Sequence, residues 1–133
     1  MRVAFRADAS LGIGTGHVMR CLTLARTLRR EGAACRFIAR ALPGHLGARI
    51  ADEGFQLTLL PAPREMAPQG PPAHAHWAGV CWVQDAAETR AVLDATRPDW
   101  LVLDHYAFDA RWQAAARPAG TRRLVLDDPA DRP

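Results

Sequence analysis

RVAFRADASLGIGTGHVMRCLTLARTLRREG, residues 2–32, places a strand, a glycine-punctuated loop and an amphipathic helix in direct succession. RVAFRAD is short, partly apolar and followed at once by glycines, which predicts a strand running into a tight turn. From His17 onward, Val18, Cys21, Leu22, Ala25 and Leu28 recur at three- and four-residue intervals, while Arg26, Arg29 and Arg30 fall largely on the other side. That spacing predicts a helix with one buried face, closed by Gly32.

The same unit repeats further along. ACRFIAR reads as a second strand, GHLGARIADEG as a short helix closed by Gly54, and FQLTLL as a third strand. DAAETRAVLDATRP reads as a helix with Asp85 as N-cap and Glu88 three residues later, a capping-box variant stopped by Pro98. DWLVLDH, DARWQAAAR with Asp109 as cap, and RRLVLDD then give strand, helix, strand. Alternation of this kind implies parallel strands joined by right-handed crossovers, hence a Rossmann-like three-layer α/β/α sheet with the expected order 3-2-1-4-5. Pro61 to Pro72 holds five prolines and a glycine and is expected to be a surface loop. No internal repeat is visible, so residues 1–133 read as one domain. DDPADRP follows a buried strand where an α/β domain normally continues, so the expectation is one part of a larger protein.

Composition narrows the function classes. With 133 residues, 49% of them hydrophobic, the chain can bury a core without disulfides or a structural metal. All 17 basic residues are Arg, against 14 acidic ones, for a formal charge of +3. So small and scattered an excess makes no nucleic-acid stripe, but leaves room for an anionic small-molecule partner. Cys21, Cys35 and Cys81 are odd in number and widely spaced, as expected of reduced thiols in a cytoplasmic protein. No apolar run approaches the roughly 18 residues of a membrane span, and Asp8 interrupts the start too early for a signal peptide.

In open α/β sheets ligands bind beyond the carboxyl ends of the strands. Three places follow from this: Asp8 with the loop Gly12 to His17, the pair His105 and Tyr106, and the pair Asp127 and Asp128. Gly12, Gly14 and Gly16 alternate into a helix start, where backbone N–H groups are expected to face ligand oxygens. Their spacing departs from G-x-G-x-x-G, and no acidic residue ends the second strand, which argues against a nicotinamide dinucleotide. His17 sits at the positive end of the helix dipole, which disfavours imidazolium, so the ring is expected to be neutral and able to accept a proton. Asp8 is the expected partner that orients it. Arg20, in the first helical turn, is expected to face phosphate or carboxylate. Cys21 lies one turn after His17, but no further ligands cluster there, and His74 and His76 stand alone, so no metal is expected. Trp77, Trp82, Trp100 and Trp112 form no stacking row and are expected to pack core and loops.

RADASLGIGTGHVMRCLTLA (6–25) resembles the UDP-2,4-diacetamido-2,4,6-trideoxy-β-L-altropyranose hydrolases of pseudaminic acid biosynthesis. The resemblance resumes, in the same order, at GVCWVQDAAET (79–89), DHYAFDARWQ (104–113) and LVLDDPADRP (124–133). It implies the amino-terminal half of a two-domain GT-B architecture, with a carboxyl-terminal half that supplies most uridine and diphosphate binding. It implies a UDP-sugar and water as substrates, and no metal or cofactor. His17 would be the general base activating water at the anomeric carbon, with inversion. Arg6, Asp8, Gly14, Gly16 and Arg20 would shape the pocket, and Tyr106 would approach the sugar. A GT-B glycosyltransferase is the nearest alternative, and a non-catalytic half-domain is the other.

Overall fold

The computed structural model describes residues 1–64 and 75–126. His74, Asp127, Asp128 and most of the proline-rich loop lie outside the described residues. The elements follow as β1 (Arg2–Ala7), α1 (Gly16–Arg30), β2 (Ala34–Arg40), α2 (Gly47–Asp52), β3 (Gln56–Leu60), a 3-10 turn (Ala75–Ala78), α3 (Trp82–Thr96), β4 (Trp100–Asp104), α4 (Ala110–Ala116) and β5 (Arg122–Val125). All four strand pairings are parallel and the order is β3-β2-β1-β4-β5, as the alternation predicted. The fold is a Rossmann-like α/β/α sheet.

Period-two alternation divides the strands between two cores. Val3, Phe5, Ala7, Phe37 and Val102 face α1 and α2, where they meet Val18, Cys21, Leu22, Ala25 and Ile50. Phe5 stacks on Phe37 at 4.9 Å between ring centroids. Ala4, Ile38, Leu101 and Leu103 face the opposite way and pack with Ala86 and Leu93 of α3 and Phe108, Trp112 and Ala116 around α4. Helix α4 is capped as expected, with the Asp109 carboxylate accepting the Arg111 N–H at 3.0 Å.

Helix α3 corrects the capping-box reading. It begins four residues earlier than expected, at Trp82, with Cys81 rather than Asp85 as N-cap and no side-chain cap. Asp85 therefore lies inside the helix and is fully buried, while Glu88 reaches Arg40 at 2.7 Å. The competing demand was charge: Arg6 and Arg40 are both fully buried on the α3 face of the sheet and need a carboxylate there.

Phe37→Ala should cost about 3–5 kcal/mol in urea unfolding, the range for deleting a buried aromatic. Leu11→Ala, at a side chain that is 85% exposed, should stay within about 0.5 kcal/mol. Equal losses at both positions would contradict this placement of the core.

Candidate functional site

The parity that separates the two cores also sorts the carboxylates at the ends of the strands. On β4, Trp100, Val102 and Asp104 alternate toward α1, and Leu101 and Leu103 point the other way. Asp104 is buried and meets the first turns of α1. His17 Nδ1 stands 2.6 Å from Asp104 Oδ1, while Arg20 donates from Nε to Oδ2 at 2.7 Å and from Nη2 to Oδ1 at 2.8 Å. Burial alone would raise the Asp104 carboxyl, but the hydrogen bonds from His17 and Arg20 outweigh it and hold the group below the usual carboxylate range. An ionised carboxylate only accepts, so the hydrogen of this pair is assigned to His17 Nδ1. Nε2 makes no hydrogen bond among the described residues. The imidazole keeps 12% of its side chain exposed, so it is not lost in the packed interior.

Aromatic rings frame it. Tyr106 meets the His17 ring edge-on at 4.6 Å, Trp77 stands 6.0 Å from it, and Trp77 stacks on Tyr106 at 6.1 Å. Trp77 also walls an open groove of about 410 Å3 whose other apolar sides include Leu11, Ile13, Leu42 and Pro43. Gly79 holds the Trp77 turn close: its φ is +76°, and a Cβ there would stand 2.7 Å from Pro63 Cγ. Trp77 was expected only to pack. Its approach depends on a 3-10 turn for which the apolar periodicity carries no signal.

The glycine loop is tied down internally. Gly14, at φ +86°, donates its N–H to Ser10 O at 2.8 Å, Ile13 N–H reaches Ser10 Oγ, and Leu11 N–H reaches Pro43 O. The Gly14 N–H is therefore not aimed at a ligand, contrary to expectation. Gly16 is exposed at the start of α1, and a Cβ there would meet nothing within 4 Å.

Asp8 does not orient His17. Continuing the parity of Arg6, it points to the other face, where Oδ1 accepts from Arg6 Nη1 and from the Arg40 N–H, both at 2.7 Å, and Oδ2 stands 2.8 Å from His105 Nε2. Ala107 N–H donates to His105 Nδ1 at 3.1 Å, which assigns the His105 hydrogen to Nε2 and leaves both nitrogens of a neutral ring satisfied. Arg6 also binds Asp85, which accepts from Arg40 Nη2, Thr89 Oγ1 and Trp112 Nε1 as well. Arg6 and Asp8 are thus buried supports, and neither side chain can touch a ligand in this arrangement. Burial would raise the Asp8 carboxyl, but Arg6 and His105 hold it well below the carboxylate range. Burial pushes His105 down from its ordinary value, against the opposing pull of Asp8. Burial likewise pushes the Cys21 thiol far up, so it is no metal-binding thiolate at neutral pH. Among the described residues no group of three His, Cys, Asp or Glu could hold a metal ion, and no helix is long and apolar enough to cross a membrane.

No protein-family profile and no curated protein matches this sequence. Among solved structures, the chain is similar to Glycyrrhiza uralensis UGT73P12 complexed with glycyrrhetinic acid 3-O-monoglucuronide, at 20% identity and a TM-score of 0.67. The match covers 98% of this chain and 28% of that one. At that identity the likeness bears on the fold alone, a Rossmann-like α/β/α sheet.

His105 sets a pH dependence of stability. Its folded value lies below the ordinary 6.5, so on acidification the unfolded chain takes up the proton first. The stability is full above about pH 6.5 and is lost as pH falls toward the folded value. Urea midpoints should therefore drop between pH 7 and pH 5, and His105→Gln should remove most of that slope. An unchanged slope in the variant would show that the titrating group lies elsewhere.

Proposed function

We propose that this chain is the amino-terminal half of a GT-B enzyme that moves a glycosyl group from a UDP-sugar to an oxygen nucleophile deprotonated by His17. The observation that carries this reading is the His17–Asp104 pair: Nδ1–H is committed to a buried carboxylate and Nε2 is free at the carboxyl edge of the sheet. A lone pair so placed can take the proton of a hydroxyl as the new C–O bond forms at the anomeric carbon. The bond from that carbon to the diphosphate breaks on the opposite face, its electron pair leaves with UDP, and the sugar inverts. Asp104 stabilises the imidazolium that results, and Arg20 keeps Asp104 ionised. Tyr106 and Trp77 offer apolar ring faces to the sugar or acceptor. Uridine and diphosphate binding falls to a carboxyl-terminal half, and the site operates without a metal.

The nucleophile is read as the hydroxyl of an alcohol acceptor. The groove beside Trp77 has room for one, and the GT-B neighbour is a glycosyltransferase. Hydrolysis is the second reading, with water as nucleophile and a UDP-linked 2,4-diacetamido-2,4,6-trideoxy sugar as donor. It rests on the resemblance carried by residues 6–25, which include Gly14, Gly16, His17 and Arg20. Both readings use the same base, and they differ in what stands against Nε2.

In a polypeptide carrying both halves, His17→Ala should lower turnover by about 10²–10⁴ with donor binding little changed, the range for losing a general base. A variant that keeps full turnover would remove the assignment. Products separate the two nucleophiles: a glycoside formed with an added alcohol supports transfer, and free sugar with no glycoside supports hydrolysis.

A further inference from the structure

A second concavity, of about 600 Å3, crosses the opposite end of the sheet, at the amino-terminal ends of β1, β2 and β3. Its rim carries Arg2 from β1, Arg36 from β2 and Arg29 from the last turn of α1, and its lining includes no Asp or Glu. The three guanidinium groups are held by neutral acceptors. Arg2 Nη1 donates to Thr96 O at 3.2 Å, and Arg29 Nη1 to Glu53 O at 2.7 Å. Arg36 donates to Thr58 Oγ1 at 3.2 Å and to Gln56 Oε1 at 2.7 Å. The Arg29 guanidinium also lies over the Phe55 ring, 4.1 Å from its centroid. Asp99 is the carboxylate at Arg2, and it accepts the main-chain N–H rather than the guanidinium.

Four other surface arginines are neutralised by carboxylates, whereas Arg30 and Arg117 also rest on neutral acceptors but stand apart from this groove. Arg26 and Arg49 pair with Glu53, Arg90 with Asp94, and Arg111 with Asp109. None of Arg2, Arg29 and Arg36 has a carboxylate partner among the described residues. Each guanidinium carries five N–H donors, so the bonds described leave most of them unused. Three like charges, oriented by neutral groups around one groove, repel one another until an anion joins them. The volume suits a small ligand, since such sites span roughly 300–1,000 Å3.

We propose that this groove binds a small anion carrying more than one phosphate charge, held by Arg2, Arg29 and Arg36. The site is separate from His17 and independent of the reading given for it. A free oligophosphate and a phosphate-bearing lipid headgroup present the same chemistry to these three side chains.

Inorganic pyrophosphate is the probe, titrated by calorimetry and amide NMR into the chain at ~0.15 M salt. Saturable binding tighter than about 1 mM is expected, with shifts confined to the starts of β1, β2 and β3. The double variant Arg29→Gln, Arg36→Gln should weaken it about tenfold or more, and Arg90→Gln, which removes one equal charge elsewhere, should not. Arg29 is exposed and Arg36 half-buried, and circular dichroism checks that the fold is kept. Vesicles containing cardiolipin, whose headgroup carries two phosphates, distinguish the source: sedimentation of the chain with them, reversed by pyrophosphate and by the double variant, identifies a headgroup site. Failure of pyrophosphate to saturate by about 10 mM, an unchanged Kd in the double variant, or an equal loss in Arg90→Gln would overturn the proposal.

Discussion

Arg6 and Arg40 lie inside the protein at the carboxyl ends of adjacent parallel strands, and the buried polar groups on the α3 face of the sheet that surround them are placed by neutralising them. Their shared partner is Asp85, which accepts hydrogen bonds from Arg6, Arg40, Thr89 and Trp112. One carboxylate thereby joins β1, β2, α3 and α4. The second countercharge is Asp8, which binds Arg6 on one side and His105 on the other. His105 in turn accepts the Ala107 N–H, closing the turn that carries Tyr106. Removing one partner of such a buried set costs about 3–5 kcal/mol, whereas replacing the whole set with apolar side chains is often neutral. Its consequence is therefore geometric. It sets how α3 sits on the sheet and where the β4–α4 turn stands relative to His17.

The order of the sheet was legible because strand and helix periods alternate cleanly along the chain and parallel crossovers permit few topologies. Asp109 as a cap was legible for the same local reason. What was misread depended on which face a residue takes. Asp8 lies close to His17 in sequence and at the same end of the sheet, yet its parity with Arg6 sends it to the α3 side. Asp104 was the signal to use, since it ends a strand in which Trp100 and Val102 already face α1. Asp85 and Glu88 have capping-box spacing, and local spacing cannot register that two buried guanidinium groups elsewhere require those carboxylates. The second Arg of each of two largely apolar strands, Arg6 in RVAFRAD and Arg40 in ACRFIAR, was the visible sign of that demand. Trp77 follows a proline-rich stretch with no periodicity, so its place beside His17 could only come from tertiary structure.

The molecule holds two carboxylate–imidazole pairs that meet at the end of β4, through Asp104 and the following His105, and comparing them shows why one is suited to chemistry. His105 is committed at both nitrogens, Nε2 to Asp8 and Nδ1 to the Ala107 amide, and Phe108 stacks on its ring at 4.2 Å. It can neither give nor take a proton without breaking a buried bond, and its burial favours the neutral form throughout. His17 uses one nitrogen. Its carboxylate is equally buried, but the charge there is balanced by Arg20, whose side chain reaches out to the surface. The same pairing is thus structural on the α3 face and open on the α1 face. The difference comes from the second nitrogen, which at His17 has no backbone amide to satisfy and lies beside the rings of Tyr106 and Trp77. A proton acceptor in an open α/β sheet needs both conditions, a buried carboxylate behind it and an unsatisfied nitrogen in front, and among the described histidines His17 meets them.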